Sequence, residues 1–330
     1  MSTQNSIVPI KNKRFLINII RVLVIFTIVL FLIFKRSFWT PDTLFVMLLI
    51  VFALFGQARS FIVRFAPLII LLLVYEAFRG VAHSLNTRVN FWPMIHADRW
   101  MGFGKLPTVW LQNIWWNGHL QWYDFYFYFL YTLHFLMPIV LGVWIWKKFG
   151  DSLFWQFILA LLLLSYGGFL TYLLFPAAPP WMASDLGYIE PIHRISSDVW
   201  WAMGIKNFSE VWSQMTPNPV AAVPSLHAAY PTLFALFVIK MYGYKKAWWV
   251  WVYPISIWIG VVYLGEHYVI DVILGAIYAI LAYAVANFFF VWQRKLGWPL
   301  KKWLVKSIMK PCKNILLKVK VKLTKFGANQ

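Results

Sequence analysis

The sequence predicts an all-α, polytopic membrane helix bundle of about eight transmembrane helices (range roughly six to eight), with interfacial helices on its extracytoplasmic side. Three observations lead there. The 330 residues are 61% hydrophobic and 20% aromatic but only 12% charged, far from the composition of a soluble domain. Several apolar runs approach or reach the ~20 residues needed to cross a bilayer. The net charge of +19 is concentrated at the ends: eleven Lys/Arg and no acid follow from Arg294 onward, and Lys11, Lys13 and Arg14 precede the first apolar run. In a soluble chain that charge would suggest nucleic acid. Here it has the placement of cytoplasmic flanks under the positive-inside rule, so no nucleic-acid partner is expected.

Taken in order, the runs are Phe15–Phe34, Pro41–Gly56, Phe61–Phe78, Tyr123–Trp146, Ser152–Phe175, Ser225–Lys240, Trp248–Leu264 and Tyr268–Trp292. The first is longer than a signal-peptide core and has no small-residue cleavage site, so it is expected to be retained. The second is short and ends in Gln57 and Arg59, which suits a tilted or re-entrant segment. An even count leaves both basic termini on one side. The short linkers agree: Arg59, Arg64, Lys147, Lys148, Lys240, Lys245 and Lys246 fall on the terminal side, with Asp151 the one acid among them.

Two long segments fall on the other face. Gly80–Trp122 is too polar to span but carries Trp92, Trp100, Trp110, Trp115, Trp116 and Trp122, rings that settle at headgroup depth. Pro176–Val223 opens with Pro176-Ala177-Ala178-Pro179-Pro180-Trp181, whose prolines end the preceding helix. The expected organisation is therefore 1–79 as N-terminal membrane helices, 80–293 as the core, and 294–330 as a cytoplasmic polybasic tail lying against anionic lipid. The single cysteine, Cys312, excludes an intrachain disulfide and a cysteine-rich metal site.

The chemistry gathers in one helical hairpin. Pro224-Ser225-Leu226-His227 opens it and Gly265-Glu266-His267-Tyr268-Val269-Ile270-Asp271 closes it, with two apolar helices and the basic turn Lys240–Lys246 between. An out-and-back pair of spans brings His227 and His267 to the same face. Asp271, four residues after His267, lies one helical turn from it and can hold its ring. A neutral imidazole with one nitrogen bare and the other fixed by a carboxylate is a competent nucleophile toward phosphorus. A protonated His227 can give its proton to a leaving alkoxide and then deprotonate an incoming hydroxyl. Pro224 suits a first helical turn, where the Ser225 hydroxyl and free N–H groups would face an anion. Ionisable groups near hydrocarbon are costly, which makes them functional candidates.

Blander readings apply elsewhere. His134 is expected to be a packed residue bonded to a nearby carbonyl, and His83, His96 and His119 to lie at the interfacial surface. A zinc site would need further ligands such as Glu266 or His193. Glu76 with Arg79 is expected to be an ordinary helix pair. Arg194, Arg99 and Lys105 are candidates to bind phosphate on the outer face, with Tyr268 beside the nucleophile.

At these residues the chain resembles the type-2 phosphatidic acid phosphatase superfamily of lipid phosphatases and phosphotransferases. The motifs P-S-x-H and H-x-x-x-D are matched by Pro224–His227 and by His267 with Asp271. It looks most like the inositol phosphorylceramide synthase branch, through Phe175–Trp181, the Pro224–Pro231 form of the first motif, Gly265–Val272, and Asp98–Gln112, which reads DRWMGFGKLPTVWLQ. The resemblance implies His267 as nucleophile, Asp271 as its partner, His227 as acid/base, no metal and no cofactor.

Two departures stand out. The superfamily's K-x-x-x-x-x-x-R-P motif has no match, and Gly260-Val261 replaces its Ser-Arg pair. With fewer cations, a singly charged phosphodiester suits the site better than a dianionic monoester, and Arg194 is the first candidate to replace them.

The function expected is a membrane lipid phosphotransferase or phosphatase of the cell membrane. Its termini are cytoplasmic, its site is extracytoplasmic, and its substrates are a phospholipid donor and an alcohol or water acceptor. The competing readings are a non-enzymatic anionic-lipid transporter or flippase, and a polyprenyl-phosphate glycosyltransferase with Asp98 or Glu266 as base. Oligomeric state is left open.

Overall fold

The structure, a computed structural model, describes residues 18–19, 21–27, 41–85, 88–204 and 218–295, without the side chains of 41–44, 72, 75–85 and 135. The Glu76–Arg79 pair, His83, Cys312 and the basic tail beyond 295 lie outside what is described, as does most of Phe15–Phe34. Among the described residues there is no strand, only isolated bridges joining Asn90 to Ala177 and Ala177 to Ala221.

Residues 18–19 and 21–27 are helical, and from Pro41 onward twelve α-helices follow one another among the described residues. They are α1 (Pro41–Leu54), α2 (Ala58–Leu85), α3 (Trp92–Met101), α4 (Pro107–Trp115), α5 (Trp122–Phe149), α6 (Asp151–Leu174), α7 (Pro180–Asp185), α8 (Ile195–Ala202), α9 (Leu226–Tyr242), α10 (Tyr244–Ala247), α11 (Val252–Tyr263, after a 3₁₀ turn Trp248–Trp251) and α12 (Val269–Lys295). By length and composition α6 and α12 can cross a membrane, and α5 joins them if its two halves count as one span. The halves meet at 56° between His134 and Leu136. Pro138 explains the bend, since it has no N–H to give the carbonyl four residues back. The apolar helix α9 is shorter, at 17 residues.

Contacts group the chain into Met1–Tyr283 and Ala284–Gln330. In the second group the last turns of α12 are described, where Phe289 packs on Phe290 and Trp292. In the first group α5 packs against α6, α9 and α11, and α9 packs against α11.

Helix boundaries follow from capping. Gln121 and Asp124 form a reciprocal capping box at the start of α5. The basic turns cluster at one end of the helices. Arg64 pairs with Asp151 at 2.9 Å, Lys147 bonds Gln57, Lys240 reaches Gln156 at 2.8 Å, and Lys148 lies over the Tyr242 ring. Toward the opposite ends of α9 and α11 come the N-terminus of α12 and the helices α3, α4 and α8. There Trp92, Trp100, Trp110 and Trp122 are exposed, while Trp115 packs on Phe127 and Tyr263.

Candidate active site

The site is assembled where α9 begins, α11 ends and α12 begins. After α11 the chain turns at Gly265, whose φ of +80° favours glycine and where a Cβ would stand 3.1 Å from the His193 carbonyl. The N–H groups of Glu266 and His267 both donate to the Val261 carbonyl at 3.1 Å, which holds His267 over the end of α11. Close approach of α12 to α9 depends on Gly275, where a Cβ would lie 2.3 Å from the Ser225 carbonyl. That contact lets the Ser225 N–H donate to the Asp271 carbonyl at 3.0 Å.

With the helices so placed, His227 Nδ1 lies 3.1 Å from His267 Nε2. On its other side His267 Nδ1 faces Asp271 Oδ2 at 3.4 Å. The same oxygen accepts the Tyr268 N–H at 2.9 Å, so Asp271 caps its own helix while facing the imidazole. A hydrogen bond of 3.4 Å is long, and catalytic contacts of this kind tighten in the reacting complex. Asp271 is fully buried and its Oδ1 has no hydrogen-bond partner, so Oδ2 alone makes its contacts, with the Tyr268 N–H and toward His267. A consistent proton assignment puts hydrogen on His267 Nδ1 and on His227 Nδ1, leaving His267 Nε2 with its lone pair.

Two residues that the sequence did not single out for the site complete its wall. The Tyr131 ring stacks on His227 at 4.0 Å, and the His134 ring meets it edge-on, also at 4.0 Å. His134 Nδ1 lies 2.7 Å from the Tyr131 carbonyl, the local bond expected of a packed histidine. What spacing could not show is that the packing of α5 on α9 lays both rings on the acid/base candidate.

The cation candidates separate. Arg194 is 14% exposed and forms a two-pronged pair with Glu266, at 2.9 and 3.1 Å, with its guanidinium 4.0 Å over the Trp181 ring. Ser196 also bonds Glu266. Burial works to raise the Glu266 carboxyl, but the Arg194 charge and these hydrogen bonds outweigh it and hold it below the usual carboxylate range. Arg194 therefore sits one residue from the nucleophile candidate, through Glu266. Arg99 instead pairs with Glu190 at 2.9 Å on the half-exposed surface, and Lys105 is exposed in the turn before α4. Neither bonds the histidines.

Ser225 and Tyr268 also differ from the expected arrangement. The Ser225 hydroxyl accepts the Ala228 N–H and caps α9, its own N–H is taken by Asp271, and the residue is fully buried. Both groups expected to face an anion are used by the backbone. Tyr268 is buried among Met94, Ile95 and Leu106, with no hydrogen-bond partner for its hydroxyl.

His193, weighed as a metal ligand, bonds Asp198 and stacks on Trp116 at 4.6 Å. Among the described residues no three His, Cys, Asp or Glu side chains are grouped to hold a metal ion. Gln112 ties this region to the core: its amide donates to the carbonyls of His193 (2.7 Å) and Tyr263 (2.9 Å) and accepts the His193 N–H (2.9 Å).

Known proteins share this arrangement of sequence. The chain is 33% identical over 159 residues to the phosphoinositol dihydroceramide synthase of Bacteroides thetaiotaomicron, covering 44% of this chain and 50% of that protein. It is 25% identical over 178 residues to the inositol phosphorylceramide synthase of Candida albicans, covering 50% of this chain and 36% of that protein. The chain thus spans half or less of the length of these relatives. No solved structure matches it. The profile of the PAP2 superfamily matches residues 92–285, the stretch that contains every contact of the histidine site, and the chain belongs to that superfamily.

Proposed function

We propose that the protein is a metal-independent membrane lipid phosphotransferase that moves a phosphoinositol group from an inositol phospholipid to a ceramide-type alcohol. The observation that carries this reading is the His267 ring, with one nitrogen toward a buried carboxylate and the other 3.1 Å from a second imidazole. The relatives' names supply the headgroup and the acceptor class.

In the first step the Nε2 lone pair of His267 attacks phosphorus while the bond from phosphorus to the diacylglycerol oxygen breaks. His227, doubly protonated on entering this step, passes its Nδ1 proton to that oxygen and becomes the neutral imidazole. Diacylglycerol leaves, phosphoinositol stays on His267, and Asp271 stabilises the charged ring. In the second step the acceptor hydroxyl gives its proton to His227 and attacks phosphorus, and the phosphorus–nitrogen bond breaks. Arg194 is the phosphate-binding cation in this reading. Because its charge is shared with Glu266, the site offers modest positive charge, which suits a phosphodiester donor.

The arrangement in the membrane follows. About eight crossings place the termini and basic turns in the cytoplasm, with the site opening outside and α3 and α4 lying in the interface beneath their exposed tryptophans. The clustering of Arg64, Lys147, Lys148 and Lys240 away from the histidines supports this. The basic tail lies against anionic lipid.

The test is turnover in vesicles containing inositol-labelled phosphatidylinositol, with and without dihydroceramide. Transfer of label to the sphingolipid, abolished in His267→Asn, is expected. Release of inositol phosphate alone means water is the acceptor and the protein is a hydrolase of the phosphodiester. Lipid movement across the vesicle without new products, weakened only gradually in His267→Asn, means a transporter.

A further inference from the structure

Asp98, on α3, is fully buried, and its two oxygens accept the backbone N–H groups of Val269 (2.9 Å) and Ile270 (3.0 Å). These are the first two residues of α12, the helix that carries Asp271. With the Tyr268 N–H taken by Asp271 and the His267 N–H by Val261, every backbone donor from 266 to 270 has a named acceptor. The start of a helix is a positive pole with unpaired donors, which attracts any nearby carboxylate. Asp98 occupies that pole from outside, so the Asp271 carboxylate is not drawn onto the same donors and stays beside His267.

The chain invests in this contact. α3 ends one turn after Asp98 at Gly102, where a Cβ would meet the Lys105 carbonyl at 2.0 Å, and Gly102 donates to the Asp98 carbonyl at 2.8 Å. The tight Gly102–Pro107 turn then leads into α4, which brings Gln112 to the carbonyl of Tyr263 at the end of α11. The two ends of the Asp98–Gln112 motif thus anchor the two helix ends that flank His267.

We propose that Asp98 is a positioning residue for the transfer reaction, fixing the N-terminus of α12 so that Asp271 faces His267. It touches none of the three catalytic candidates. This rests on the phosphotransfer reading above and adds a residue to it.

The experiment uses the full chain in vesicles, with labelled phosphatidylinositol and dihydroceramide as the probe. Asp98→Asn keeps shape but turns an NH₂ toward one of the two N–H groups. It is expected to lower kcat by about tenfold or more, in line with the ~10²-fold cost of displacing a catalytic group by 1 Å, and to leave KM within about twofold. Val269→Pro removes one of the two donors at a helix position that accepts proline. Combined with Asp98→Asn it removes the NH₂ clash, and kcat should return to within about threefold of Val269→Pro alone.

A kcat for Asp98→Asn within about twofold of the unsubstituted chain overturns the proposal, as does a loss confined to KM or a double variant in which the two losses multiply. If Asp98→Asn does not fold, Val269→Pro alone decides: a kcat at least about threefold lower at unchanged KM supports the role, and an unchanged kcat overturns it. No turnover by the unsubstituted chain instead overturns the phosphotransfer reading and this role with it.

Discussion

Replacing Asp271 by Asn isolates what the carboxylate charge contributes to the reaction. The amide oxygen can take the place of Oδ2 and keep the Tyr268 N–H bond, now 2.9 Å, so the start of α12 is preserved. What is lost is a negative charge 3.4 Å from His267 Nδ1. Two unit charges at that separation interact by about 5 kcal/mol at an effective dielectric constant of about 20. With roughly half the ring charge developed in the transition state, about 2.5 kcal/mol is lost, a fall in kcat of about 60- to 100-fold. KM should hold, because Asp271 is fully buried behind the His267 ring and tests as an orienting group rather than a binding one. The assay is initial-rate transfer of labelled phosphoinositol in vesicles, with the thermal midpoint measured on the same preparation. A kcat within about threefold of the unsubstituted chain, at unchanged stability, would refute the orienting role.

Four further outcomes follow from the same geometry. His227→Asn should slow transfer from phosphatidylinositol by about 10²- to 10⁴-fold, and the first step should recover with a donor whose nitrophenolate leaving group needs no proton; equal loss with both donors would remove His227 from the acid role. Glu266→Gln removes the carboxylate charge from the two-pronged Arg194–Glu266 pair and should cost about 3–5 kcal/mol in thermal unfolding. Because Glu266 is held below its usual range, its stabilisation is present above an unfolded-chain pKa of about 4.3 and is lost as pH falls through the lower folded value, an acid limb the variant should lack. Asp98 behaves oppositely: burial, aided by nearby Asp271, pushes its carboxyl up to about 6 against the pull of two backbone donors. The folded state then binds the Asp98 proton more tightly, so stability falls as pH rises from about 4 to about 6, by on the order of 3 kcal/mol relative to Asp98→Asn, and parallel pH–stability curves would contradict this. Ser225→Ala should cost about 1 kcal/mol as a lost helix cap; a many-fold rise in KM would instead make Ser225 a phosphate ligand.

Much of this arrangement was legible in the spacing of residues. An out-and-back pair of apolar helices brings its two ends together whatever its side chains do, so the meeting of His227 and His267 followed from topology. The i, i+4 interval of His267 and Asp271 followed from helix geometry, although Asp271 also caps its own helix. The charge pattern along the linkers pointed to one basic end, where Arg64 meets Asp151, the acid that the count had placed there.

What the sequence hid were contacts between elements far apart in the chain. Arg194 was chosen for its charge and its place ahead of the first motif, but its pairing with Glu266, 72 positions away, needed the folded loop. Tyr131 and His134 became neighbours of His227 through the packing of α5 on α9, which an apolar run with a small amphipathic signal does not specify. Ser225 was read as an anion donor because its hydroxyl and N–H belong to a helix start, and the same helix start consumed both groups. Asp98 and Gln112 did leave a trace, as the first and last residues of a polar-ended motif within an aromatic segment, but the pattern carries no mark of where their bonds go.

The central claim is that His267 carries the transferred group. Rapid acid-free quenching of the protein during turnover of labelled phosphatidylinositol, followed by peptide mass spectrometry, tests it most directly. A phosphoinositol adduct on His267 that disappears on adding dihydroceramide, and is absent in His267→Asn, is the predicted result. An adduct on another residue, or continued transfer by His267→Asn, would contradict the account.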